Sequence, residues 1–229
     1  MTIELSDLKF TKQDDRVPVS GVKKIVNTGI TNTLAGDDEI TGTADKFGFV
    51  NYGTLNTGDG DDIITGKSNN GYIGINNASG ASIKTGDGRD LISCLYGDIK
   101  NASGASIKTG DGGDLIICND VIANDGLIDT GDGNDTLLAN RGFKGSGSVN
   151  LGNGNDYIRS SGKGDLSGGA GNDTLQLTSG SYTISISGRT VNFTKGNQLM
   201  ITSEFEELIA GSTTYDFTNL TAGQVITVA

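Results

Sequence analysis

Aliphatic side chains recur along this chain at fixed offsets from a repeated glycine. Three positions before it stand Leu55, Ile83, Ile107, Ile128, Val149 and Leu166; six positions after it stand Ile64, Ile92, Ile116, Leu137, Ile158 and Leu175. The glycines are Gly58, Gly86, Gly110, Gly131, Gly152 and Gly169, at intervals of 28, 24, 21, 21 and 17 residues. Intervals of this size suit one coil of a solenoid, with a short strand entering each glycine turn and a second leaving it. Stacked about 4.8 Å apart as parallel strands, the coils would align each set of aliphatic residues as a column in a narrow interior. The clearest pair of coils shares NASGASIKTGDG, at 77–88 and again at 101–112. The stretches between one turn and the next, such as GKSNNGYIGINNASG and LYGDIKNASG, vary in length. They predict an irregular opposite edge.

After residue 178 the pattern changes. SYTISISGRTVNF alternates about Ser187-Gly188 and reads as a hairpin, and LMITSEFEELIAG offers Phe205, Leu208 and Ile209 for packing. A cap on the open end of a solenoid needs such a segment, because terminal coils have no neighbour to cover them. The expected fold is all-β: a right-handed parallel β-solenoid over 34–177, an N-terminal arm or cap over 1–33, and a C-terminal β cap over 178–229.

Composition narrows the chemistry. The 229 residues include 37 Gly, one Pro and no His or Trp, so His-dependent proteases, Ser-His-Asp triads and His-ligated metals are excluded. A net charge of −11 and a pI near 4.3 argue against nucleic acid and anionic membranes as partners. The N-terminus is polar where a cleaved secretory signal would be apolar, and no run approaches the roughly 20 apolar residues that span a bilayer. The expectation is a protein without a transmembrane segment and, if exported, without a cleaved N-terminal signal.

The turns carry the acidity. TGDGDDII, TGDGRDLI, TGDGGDLI, TGDGNDTL, LGNGNDYI and GGAGNDTL align as one motif. Stacking places Asp62, Asp90, Asp114, Asp135, Asp156 and Asp173 in one column and Asp59, Asp87, Asp111 and Asp132 in another. Carboxylates about 5 Å apart repel by about 3 kcal/mol per pair at an effective dielectric near 20. Basic residues do not compensate, since only Arg89 lies inside a turn. Hard oxygens on a glycine turn suit Ca²⁺, which takes six to eight oxygen ligands; Mg²⁺ is the second choice.

The motif resembles the hemolysin-type calcium-binding (RTX) nonapeptide GGxGxDxUx, where U is a large aliphatic residue. GGAGNDTLQ at 168–176 matches it fully, and LAGDDEITGTA at 34–44 looks like a degenerate copy. In the other copies Thr57, Thr85, Thr109, Thr130 or Leu151 replaces the first glycine. The resemblance implies calcium as the cofactor. The assigned ligand positions are Asp59, Gly60, Asp62, Thr85, Asp87, Gly88, Asp90, Thr109, Asp111, Gly112, Asp114, Thr130, Asp132, Gly133, Asp135, Asn153, Gly154, Asp156, Gly169, Gly171 and Asp173. It further implies folding coupled to calcium, type I secretion to the extracellular space, and a structural or adhesive role with a cell surface or polysaccharide as candidate partner. No enzymatic activity is expected. A β-helical polysaccharide lyase or epimerase, and an ice-binding face built on the Thr column, are the alternatives. Cys94 and Cys118, 24 residues apart in LISC and LIIC, should be neighbours in adjacent coils, with a reduced pair favoured over a disulfide.

Overall fold

A computed structural model describes residues 1–17 and 23–229. It is a β-solenoid whose coils carry three strands, and whose faces are sheets of seven, ten and eleven strands. The inbound face, whose strands run into the glycine turns, comprises Ile30–Asn32, Thr54–Asp59, Ser82–Asp87, Ser106–Asp111, Leu127–Asp132, Ser148–Asn153 and Gly164–Ala170. The outbound face leaves the turns through Arg16–Val17, Glu39–Ala44, Ile63–Ser68, Leu91–Tyr96, Leu115–Cys118, Thr136–Ala139, Tyr157–Ser160 and Thr174–Leu177. Pairing is parallel and in the register of the repeat, as in Ile83 opposite Leu55 and Ile107, and Ile92 opposite Ile64 and Ile116.

The third face corrects the expectation of an irregular edge. Thr2–Glu4, Lys24–Asn27, Phe47–Asn51, Ile73–Asn77, Asp98–Asn101, Ile122–Asn124 and Phe143–Lys144 form a parallel sheet of their own. It contributes a third interior column, Ile25, Phe49, Ile75, Ile99, Ile122 and Phe143, buried like the other two. Coil length explains where it stops. Intervals of 21 residues or more leave room for three strands, whereas the 17-residue interval from Gly152 to Gly169 runs from Tyr157–Ser160 directly into Gly164–Ala170.

Beside the third column runs a polar one. Asn27, Asn51, Asn77, Asn101 and Asn124 are at most 2 % exposed. Each of the first four donates its Nδ2 to the Oδ1 of the next at 2.8–2.9 Å. Asn51, Asn77, Asn101 and Asn124 also donate to main-chain carbonyls across the corner, Ser82, Ser106, Leu127 and Ser148. Buried amides with their donors and acceptors paired fix the corner between third and inbound faces.

Strands begin at Thr2, so residues 1–17 contribute to the third and outbound sheets. At the other end Gln198–Ser203 pairs parallel with Gly164–Ala170, and Glu207–Ala210 with Thr174–Leu177. Gly180–Ser187, Thr190–Lys195 and Val225–Val228 then extend the inbound sheet as antiparallel strands, with the expected hairpin turning at Gly188. The cap has an aromatic core: Phe217 lies 5.7 Å from Phe205 and 6.0 Å from Phe193, centroid to centroid. Phe205 and Leu208 are buried there, and Ile209 is half-buried on the outer side.

Candidate cation-binding edge

The turn joining inbound to outbound strands needs two glycines with positive φ. At the central copy these are Gly110 and Gly112, with φ of 108° and 147°. A Cβ on Gly110 would lie 2.1 Å from the Gly86 carbonyl oxygen, so the stacked turns are too close for any side chain there.

The turn then directs one aspartate per coil inward. Asp38, Asp62, Asp90, Asp114, Asp135, Asp156 and Asp173 are each 2 % exposed or less. Oδ1 of each accepts the main-chain N–H of the residue one coil earlier, at 2.7–2.8 Å, from Asp15 donating to Asp38 through Asp156 donating to Asp173. The cap closes the series, with Asp173 N–H donating to Glu206 Oε2 at 2.8 Å. The aspartate carbonyls are used as well: Asp62, Asp90 and Asp114, for example, accept the N–H of Leu91, Leu115 and Thr136. What remains is Oδ2. In all seven aspartates it is buried and has no hydrogen-bond partner.

An unpaired carboxylate oxygen away from water is costly, and the acidities register this. Burial, the largest cause throughout, pushes Asp90 and Asp156 up to about 7 and Asp62 and Asp135 up to about 6. Asp38, Asp114 and Asp173 are raised for the same first reason. Mutual repulsion contributes less than desolvation, which inverts the emphasis drawn from spacing alone. A Thr hydroxyl five residues earlier lies beside Asp38, Asp62, Asp90, Asp114 and Asp135. Its single proton goes to a carbonyl of the next coil. Thr33, Thr57, Thr85, Thr109 and Thr130 donate to Thr57, Thr85, Thr109, Thr130 and Leu151 at 2.6–3.1 Å. These threonines are interior, so this column presents no outward Thr face of the kind an ice-binding surface needs.

The second acidic column does not converge with the first. Asp59, Asp87, Asp111 and Asp132, and Asn153 after them, are exposed at the ends of the inbound strands: alternation would turn them inward behind residues such as Leu55 and Thr57, and the positive-φ glycine before each breaks it. Their carbonyls accept instead: Gly60, Gly88, Gly112, Gly133 and Gly154 donate their N–H groups to residues 87, 111, 132, 153 and 170 at 2.6–2.8 Å. Gly169 and Gly171 make the same positive-φ turn before Asp173. Arg89 is exposed and donates its main-chain N–H to Asp61 Oδ1. Among the described residues the ion pairs are Arg16 with Glu39, Lys108 with Asp129 and Arg141 with Asp120, and none touches the buried column.

Sequence reasoning missed Asp38 and Glu206 as ends of the column, and the asparagine ladder altogether. Asp38 was within reach, because it occupies the aspartate position of the degenerate copy at 34–44. Cys94 and Cys118 are fully buried, free, and opposite each other in adjacent strands. Comparison with protein-family models, with curated proteins and with solved structures found no match. Function must therefore be argued from the edge itself.

Proposed function

We propose that this protein is a calcium-dependent β-solenoid of the hemolysin-type kind, whose glycine-turn edge binds Ca²⁺ between coils. The observation that carries the proposal is the file of seven buried, unpaired Oδ2 atoms, which no salt bridge reaches among the described residues. Their chemistry fits a hard divalent cation: all donors are oxygen, and His is absent from the chain. Among the described residues no three carboxylates, Cys or His converge, so carbonyl oxygens of the turn must complete each ligand set. The aspartates Asp62 to Asp173 and the turn glycines are the residues that would hold the ion. Bound Ca²⁺ supplies the positive charge that the buried column lacks. Oδ1 keeps the register of neighbouring coils by accepting an N–H, while Oδ2 stays free as a ligand.

Metal-binding energy then becomes folding energy. Where calcium is scarce the ionised column opposes coil closure, and the chain stays threadable through a type I secretion channel. At extracellular calcium, with affinities of about 10⁻⁴–10⁻³ M, the solenoid locks. The proposed role is structural or adhesive, at a cell surface or on a polysaccharide. The fold alone does not decide between this and an enzyme.

The test is calorimetric calcium titration alongside circular dichroism in chelator. Calcium uptake in the millimolar range or below, and a β signal lost in chelator and restored by Ca²⁺ but not Mg²⁺, are the expected results. No uptake, with an unchanged spectrum and melting temperature in chelator, would refute it. A metal-free ladder of protonated carboxyls is the second reading, favoured by the acidities near 7. It predicts that second outcome.

A further inference from the structure

The last turn of the column differs from the other six. Five residues before each buried aspartate stands Thr33, Thr57, Thr85, Thr109, Thr130 or Leu151, and then, at Asp173, Gly168. A Cβ on Gly168 would lie 1.9 Å from the main-chain carbonyl oxygen of Glu204 and 2.8 Å from Asp173 Oδ2. The volume that a side chain fills in every other turn is thus faced by two oxygens. One is a carbonyl brought in by the cap, the other a fully buried carboxylate oxygen with no partner.

Two acceptors facing one small volume repel each other, and the cap holds them there against local preference. Glu204 has φ of 57°, one of only two non-glycine residues with positive φ among those described. For a side chain other than Asn, Asp or Gly that conformation costs free energy and persists only when its surroundings impose it. The surroundings are visible. Ser167 Oγ donates to Glu204 Oε2, Glu206 Oε2 accepts Asp173 N–H, and Phe205 between them is buried in the cap core against Phe217.

We propose that the cap completes a distinct terminal Ca²⁺ site, with the Glu204 main-chain carbonyl and Asp173 Oδ2 as ligands. The cap segment stands in for the glycine turn that a further coil would have supplied. This rests on the calcium reading above and adds a ligand that the repeat motif does not contain. It also explains the one fully glycine copy of the motif: a side chain at position 168 would displace the carbonyl.

The test follows the Glu204 carbonyl ¹³C shift in labelled full-length protein titrated with calcium chloride, with calorimetry counting bound ions. The wild-type shift should move with calcium. Asp173→Asn keeps Oδ1 as acceptor for Asp156 N–H and can place an amide donor against the Glu204 carbonyl. It should bind one calcium fewer, with the Glu204 shift no longer responding. Gly168→Ala puts a methyl where the Glu204 carbonyl stands, so it too should bind one calcium fewer. Should either variant fail to fold, the wild-type shift still decides. Calcium uptake by wild type with an indifferent Glu204 carbonyl, or an undiminished count in Asp173→Asn or Gly168→Ala, would overturn the terminal site while leaving the calcium reading intact. No calcium uptake at all would end both.

Discussion

Replacing Asp90 by Asn should stabilise the protein in chelator and destabilise it in calcium. The substitution keeps the Oδ1 acceptor that Asp62 N–H needs, and exchanges only the unpaired oxygen for an amide. In the metal-free protein burial raises the carboxyl to about 7, from an unfolded value near 3.8. A group whose folded pKa is raised contributes stability below its unfolded pKa and loses it as pH climbs through the folded one. Ionised Asp90 is therefore a liability at pH 8 and almost none at pH 3, below the unfolded value. The difference of about 3 units corresponds to about 4 kcal/mol at 1.36 kcal/mol per unit. Solvent screening at a turn edge reduces this to roughly 2 kcal/mol. In chelator at pH 8, Asp90→Asn should thus raise the unfolding midpoint by about 4–8 °C, given 2–4 °C per kcal/mol for a chain of this size. At pH 3 the two proteins should melt together. In millimolar calcium at pH 8 the order should reverse, because the variant has lost a ligand. Thermal melts followed by far-ultraviolet circular dichroism under the three conditions read all of this. Equal destabilisation of the variant in chelator at pH 8 and pH 3 would refute the premise that Oδ2 is unpaired. An unreversed order in calcium would refute its role as a ligand.

Two further outcomes test the interior rather than the edge. Asn101→Ala removes the donor to Asn124 Oδ1 and Leu127 O and the acceptor for Asn77 Nδ2, and should cost about 2–4 kcal/mol in urea unfolding, with or without calcium; a loss under 0.5 kcal/mol would deny the ladder its structural role. Cys94 and Cys118 are fully buried and free, so a maleimide should label them only as fast as the coils open, and calcium should slow it; labelling at the rate of an exposed thiol would contradict their burial.

Repetition is what made so much of this molecule legible in the chain. Six copies of one turn, with aliphatic residues at constant offsets, determine parallel strands in register, two interior columns and an aspartate per coil, because every coil repeats the same local instruction. The hairpin at Gly188 was equally local. The third sheet was hidden because strands such as DIKN and IAN bury a single aliphatic residue, Ile99 or Ile122, beside an asparagine, too few to show a hydrophobic period. Only stacking made those residues a column and turned Asn27 to Asn124 into a hydrogen-bonded ladder, since each amide's partner lies 23 to 26 residues away. The roles of the acidic residues were likewise undetermined by sequence. Asp87 and Asp90 lie three residues apart in GDGRD, yet the turn between them leaves one exposed and one buried, so only the second has an unpaired oxygen. Glu204 was beyond any sequence reading: what matters there is its main-chain carbonyl, which every residue possesses, and only the packing of the cap aims it at Asp173.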